Sequence, residues 1–198
     1  MTISSVSVSS AQEQKLVLSN ISWEQYQTLL ETFADYSGLK LIYYHGTLEL
    51  YMPSAEHERL KKIIARLLER YAEEMEIDLY AYGSTTFRNK AKASGLEPDE
   101  CYCFGNWKEI PDLAIEVNLT SGTIDKLKVY QGLGIPEVLI WYNKGLKLYG
   151  LTHEKYAEVK RSNFLPDLDL RLLANYISPQ EQSQAVKAFI KQIRSQNN

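Results

Sequence analysis

A chain of 198 residues has room for one domain with a sizeable core. Its 44% hydrophobic and 24% charged residues are ordinary for a soluble globular protein. The net charge of -3 argues against indiscriminate binding to nucleic acid and leaves only a local basic patch as a route to it. No apolar run approaches membrane-spanning length, and the N-terminus lacks the basic start and apolar centre of a secretory signal. Its serine-rich composition predicts a disordered tail over residues 1–15.

From Ser22 the spacing predicts a helix that ends near Ser37-Gly38, with Ser22 and Gln25 as a capping box and Trp23, Tyr26, Leu29, Leu30 and Phe33 on its apolar face. Residues 39–44 and 47–52 read as a hairpin turning at His45-Gly46. Pro53-Ser54 ends it and caps a long helix over 55–76, apolar along Leu60, Ile63, Ile64, Leu67, Leu68, Tyr71 and Met75. The basic residues Arg59, Lys61, Lys62, Arg66 and Arg70 could follow a phosphate backbone, but a solvated face balanced by neighbouring glutamates is the favoured reading. Strands are expected at 79–82 and 85–88, and residues 89–95 read as a polar loop able to lie over a site.

Cys101 and Cys103 are one residue apart on a strand, poorly spaced for a disulfide and without the further ligands of a zinc site. They are read as reduced core thiols, which places the protein in the cytoplasm. Residues 137–142 read as a fully buried strand that turns at Asn143-Lys144-Gly145 into 146–151, and a further strand is expected at 156–160. C-terminal helices close the chain over 168–195. The irregular alternation of strands, hairpins and helices indicates an α/β or α+β fold with a mixed central sheet flanked by helices.

The chemistry is concentrated between residues 97 and 127. In residues 112–118, Leu113, Ile115 and Val117 alternate with Asp112, Ala114, Glu116 and Asn118, so Glu116 points opposite the aliphatics, toward either solvent or a site. A helix starting near Ser121 or Thr123 and ending before Gly134 follows. At 100° per residue Lys126 falls in the middle of its apolar side, with Val129, Tyr130 and Leu133, whereas Lys128 points away. An ammonium there must snorkel, pair with a carboxylate or serve a site. Asp99 begins one strand and Glu116 lies 17 residues later on the next, so two strands can converge two carboxylates on one point. Two hard oxygen ligands without clustered His or Cys suit Mg²⁺ or Mn²⁺, and an adjacent lysine suits a phosphate substrate.

Pro98-Asp99, Glu116-Val117, Lys126-Leu127 with Tyr130 and Gly134, the hairpin residues Gly46-Thr47-Leu48-Glu49, Met52-Pro53 and His57 together resemble the Uma-type restriction endonuclease family of the PD-(D/E)XK nuclease superfamily. The resemblance spans roughly residues 23–151. It implies a restriction-endonuclease-like core within a single domain over 16–198, and a Mg²⁺- or Mn²⁺-dependent endonuclease that hydrolyses phosphodiester bonds of DNA, acting as a homodimer. Under it Asp99 and Glu116 are the metal ligands and Lys126 the catalytic lysine, with Glu49, or less readily Glu56, as an additional acid. The pattern departs from the superfamily at the Glu-x-Lys step, where position 118 is Asn, and Lys126 on the following helix takes that place.

Plainer assignments stand beside these. Asp112 and His57 are candidate additional site residues, but Asp112 after Pro111 is first a strand-start residue and His57 a helix-start residue making a structural hydrogen bond, and Glu100 faces away from Asp99. A catalytically inactive nuclease fold that binds nucleic acid or protein is the alternative function. A structural domain whose buried charges merely pair is a third; for it, Lys126→Met is expected to be neutral or stabilising.

Overall fold

The computed structural model describes residues 13–83, 85–119 and 123–196. Strand β1 (Gln14–Leu18) leads into α1 (Trp23–Thr32), where the predicted capping box forms: the Ser22 hydroxyl accepts from the Gln25 N–H, and the Gln25 side chain accepts from the Ser22 N–H. Strands β2 (Lys40–Tyr44) and β3 (Thr47–Met52) follow as the expected hairpin. His45 and Gly46 both take positive φ (44° and 81°), the backbone that a two-residue hairpin turn demands. Ser54 caps α2 (Ala55–Glu74) by accepting from the His57 N–H. The fully buried Ile63, Ile64, Leu67 and Leu68 each contribute roughly 2 kcal/mol of burial to holding it in place.

Next come β4 (Leu79–Ala81), β5 (Phe87–Asn89), β6 (Ser94–Leu96), β7 (Glu100–Phe104) and β8 (Leu113–Asn118). Helix α3 (Lys126–Leu133) has Asp125 as its N-cap and ends at Gly134, whose φ of 76° suits a residue without a Cβ. Strands β9 (Glu137–Tyr142), β10 (Gly145–Thr152) and β11 (Lys155–Val159) precede α4 (Leu170–Asn175) and α5 (Gln182–Gln196).

The fold is mixed α+β, and its strands form two sheets where the sequence reading expected one. The first, in the order β1-β3-β2-β6-β5, is antiparallel throughout; the second, β11-β10-β9-β8-β7-β4, is mixed, with β8 and β9 its parallel pair. One apolar cluster fills the space between α2, α4, α5 and the Leu113, Ile115, Val117 face of β8. A second joins Ile42 and Leu96 of the first sheet to Val129, Tyr130 and Leu133 of α3 and to Ala114, Val138 and Ile140 of the second. The third packs α1 on the far side of the first sheet, around Tyr26, Leu41, Tyr43 and Leu48.

Three local expectations are corrected. Gln14 and Lys15, assigned to a disordered tail, pair with Met52 and Tyr51 across β1 and β3. Residues 89–95 are not a lid: they turn β5 back into β6, with Phe87 opposite Leu96 and Ser94 buried. Helix α3 starts later than either expected cap, because the Thr123 N–H donates to Glu49 instead of opening a helix; Ser121 lies outside the described residues.

Candidate active site

The alternation in β8 places Glu116 as expected, on the side of the sheet that α3 covers, and Glu116 is only 1% exposed. Its face is therefore not solvent. Lys126, in the first turn of α3, donates from Nζ to Glu116 Oε2 at 2.5 Å, and the Tyr130 hydroxyl donates to Oε1. The two donors are four residues apart and so share one helix face. Lys126 itself is half-buried, with its ammonium 5.4 Å from the centre of the Tyr51 ring.

Asp99 arrives from the neighbouring strand. Strands β7 and β8 pair antiparallel with Glu100 opposite Ile115, which carries Asp99 to the end of β8, where its Oδ2 accepts from the Val117 N–H at 2.8 Å. Its Oδ1 accepts from Lys40 Nζ at 2.6 Å, and Lys40 also donates to the Pro98 carbonyl at 3.2 Å. His57, fully buried at the start of α2, brings Nε2 to 3.1 Å from Asp99 Oδ2 and Nδ1 to 3.5 Å from Glu58 Oε1. Neither contact has the alignment of a hydrogen bond, so His57 meets the carboxylates as a charge more than as a directed donor.

The electrostatics follow from that crowding. Burial disfavours the ionised form of Asp99, yet Lys40, His57 and Lys126 hold its carboxyl well below the usual range. Burial likewise works against Lys40 and Lys126, and Asp99 and Glu116 outweigh it in both, leaving each lysine firmly protonated. His57 is lifted to about 9 because Asp99 and Glu58 outweigh its burial. Burial and the Glu116 charge push the Tyr130 phenol well above its ordinary value, so it remains a donor.

Of the residues singled out in the sequence, Asp99, Glu116 and Lys126 share one charged network, with His57 against Asp99. Glu49 is 2% exposed, accepts from the Thr123 N–H at 3.0 Å, and lines the cleft of about 260 Å³ at whose edge Lys126 sits with Tyr51 and Asn118. Asp112 is elsewhere: at the other end of β8 its Oδ2 accepts from the Phe104 N–H at 2.9 Å and from Lys108. Glu56 is exposed, and Glu100 pairs with Lys62 at 2.9 Å. The basic face of α2 is largely occupied, since Lys61, Lys62 and Arg70 pair with glutamates and Arg66 bonds Gln182. Cys101 and Cys103 are buried free thiols.

Two participants were missed. Lys40 opens β2 on the face it shares with Ile42 and Tyr44, the same lysine-among-apolar-neighbours signal that singled out Lys126. Tyr130 could have been found from its spacing, four residues beyond Lys126 on the apolar side of α3.

The donor set fits a hard divalent cation. Asp99 and Glu116 offer carboxylate oxygens, each with a second lone pair beyond the hydrogen bond it already accepts. No group of three His, Cys, Asp or Glu residues converges as metal ligands among the described residues. Magnesium is nevertheless commonly held by one or two carboxylates, with water and substrate phosphate completing its shell. No helix among the described residues is long and apolar enough to cross a membrane.

The sequence profile of the Uma2 family, described as "Putative restriction endonuclease", matches residues 23–178, most of the chain. No curated protein matches it.

Proposed function

The chain belongs to the Uma2 family of the PD-(D/E)XK nuclease superfamily, and on that premise we propose that it is a Mg²⁺- or Mn²⁺-dependent endonuclease hydrolysing phosphodiester bonds of DNA at the cleft beside Asp99 and Glu116. The observation that carries this reading is the pairing of each buried carboxylate with its own lysine at the C-terminal end of the parallel strand pair, beside an open cleft. Ligand sites in sheets with parallel strands favour that end.

Asp99 and Glu116 would hold the cation. When bound, such an ion polarises the phosphoryl oxygen and lowers the pKa of nearby water. Lys126, permanently charged at the cleft edge, offsets negative charge as water adds to phosphorus and the bond to the leaving oxygen breaks. Tyr130 fixes the rotamer of Glu116, and Lys40 with the Val117 N–H fixes that of Asp99, so the carboxylates are oriented before substrate arrives. His57 adds positive charge behind Asp99 and packs its ring edge-on against Tyr51 of the cleft lining. Two copies of the chain acting together, one on each strand, would make a double-strand cut.

The test is cleavage of supercoiled plasmid with Mg²⁺ or Mn²⁺, beside Glu116→Gln prepared identically. Nicking or linearisation by the wild type alone supports the reading; equal cleavage by both removes it. A second reading, a nuclease fold that binds without turnover, is favoured by Asn118 at the usual lysine position and by the engagement of all four carboxylate oxygens. It requires that a triple variant at Asp99, Glu116 and Lys126 keep full affinity for its partner.

A further inference from the structure

The family match begins at residue 23, so β1 lies outside it. This strand nevertheless pairs with β3 along its whole length, and the register sets Lys15 directly opposite Tyr51. Opposed residues on antiparallel strands project from the same face. Lys15 accordingly lines the same cleft as Lys126, and its ammonium lies 5.2 Å from the centre of the Tyr51 ring. One aromatic ring thus has two cations within 5.4 Å of its centre, Lys126 from α3 and Lys15 from β1. Glu13 anchors the arrangement by accepting from the Tyr51 hydroxyl, with its carboxylate 3.9 Å from Lys15 Nζ.

We propose that Lys15 is a substrate-contacting residue: the β1 strand delivers to the cleft a second cation that binds a DNA phosphate neighbouring the one that is cut. The proposal rests on the nuclease reading of the cleft. Lys126 is hydrogen-bonded to Glu116 at the reacting centre, whereas Lys15 enters the cleft from β1, with a Glu13 carboxylate oxygen 3.9 Å from its ammonium. A lysine acts on phosphate as a point charge, so its contribution is to position the duplex without reading its sequence. The overall acidic balance makes such a contact matter, because the chain has no general excess of positive charge to hold DNA. Glu13 moderates the site: it keeps Lys15 in place when the cleft is empty and competes with the incoming phosphate.

The experiment is fluorescence-anisotropy titration of a labelled duplex oligonucleotide over a range of salt concentrations, with and without Mg²⁺, using the full chain. Wild type, Lys15→Ala, Lys15→Arg, Glu13→Gln and the remote surface variant Lys187→Ala are compared. Lys15→Ala should weaken binding about three- to tenfold and reduce the salt slope by about one, independently of sequence. Lys15→Arg should restore both, and Glu13→Gln should tighten binding. Backbone pairing holds β1, so the thermal unfolding of Lys15→Ala should match that of wild type. An unchanged affinity and slope in Lys15→Ala overturns the proposal, as does an equal loss in Lys187→Ala, which would reduce the effect to net charge. Absence of any duplex binding by the wild type overturns the nuclease reading together with it.

Discussion

The parallel strands β8 and β9 bury carboxylates at both ends, and the two ends treat them differently. At the N-terminal end, Glu137 is fully buried and accepts from the Asn163 N–H at 2.7 Å and the Ser162 hydroxyl at 2.5 Å, while Asp112 accepts from the Phe104 N–H and from the partly exposed Lys108. Each carboxylate there accepts from one backbone N–H and one side chain, and the backbone donors tie loops to the sheet. At the C-terminal end, Glu116 and Asp99 are held by Lys40, Lys126, Tyr130 and His57, with Val117 supplying a backbone N–H. Burial therefore does not by itself distinguish the carboxylates at the two ends. The partner does: a backbone N–H is a fixed element of the fold, whereas an ammonium on a flexible stem can be exchanged for another cation without rebuilding the backbone.

The largest expected effect tests that distinction directly. Glu116→Gln should lower DNA cleavage by about 10³-fold and abolish Mn²⁺ binding in a metal titration, at little cost to shape. Glu137→Gln should leave both untouched and instead lower stability by about 1–3 kcal/mol in urea unfolding. Equal metal affinity in the two variants would erase the contrast between the ends.

Next is Lys126→Met. A merely structural charge pair predicts a neutral or stabilising change, whereas the burial of Glu116 predicts a loss. Glu116, 1% exposed, would keep only the Tyr130 hydroxyl, so the single variant should destabilise by about 3 kcal/mol by chemical denaturation. The double variant Glu116→Gln with Lys126→Met should recover much of that loss, and failure to recover would mean that Lys126 contributes mainly through packing on Tyr51.

His57 links the same end to pH. Its folded pKa, about 9, exceeds the unfolded value near 6.5, so the folded state binds the proton more tightly. The resulting stabilisation, on the order of 2 kcal/mol, is complete below pH 6.5 and is lost as pH rises through 9. His57→Gln should flatten that part of a stability-versus-pH curve; an undiminished slope would assign it to another group. The smallest change is expected for Tyr130→Phe, which removes one hydroxyl from Glu116 and should weaken Mn²⁺ binding about tenfold, as measured by calorimetry.

Much of this site was legible one element at a time. Period-two alternation in β8 put Glu116 on the face away from Leu113, Ile115 and Val117, and helical spacing put Lys126 on the apolar side of α3; both descriptions hold in the structure. The capping box at Ser22, the hairpin at His45-Gly46 and the cap at Ser54 were equally readable, because each depends on residues within a few positions. The start of α3 was misread because Thr123, a good cap by type, was engaged by Glu49 from 74 residues away.

What the sequence by itself determined, then, was which faces carry charge; which charges meet was decided by tertiary structure. Lys40 and Asp99 are 59 residues apart, one on β2 and the other in the link from β6 to β7, and nothing local couples them until β2 pairs with β6. The division of the strands into two sheets and the recruitment of β1 beside Tyr51 depend on long-range pairing in the same way. Local periodicity reports the direction of a side chain relative to its own backbone. Its partner is fixed by strand register and sheet packing, which are set by the burial of the three apolar clusters as a whole.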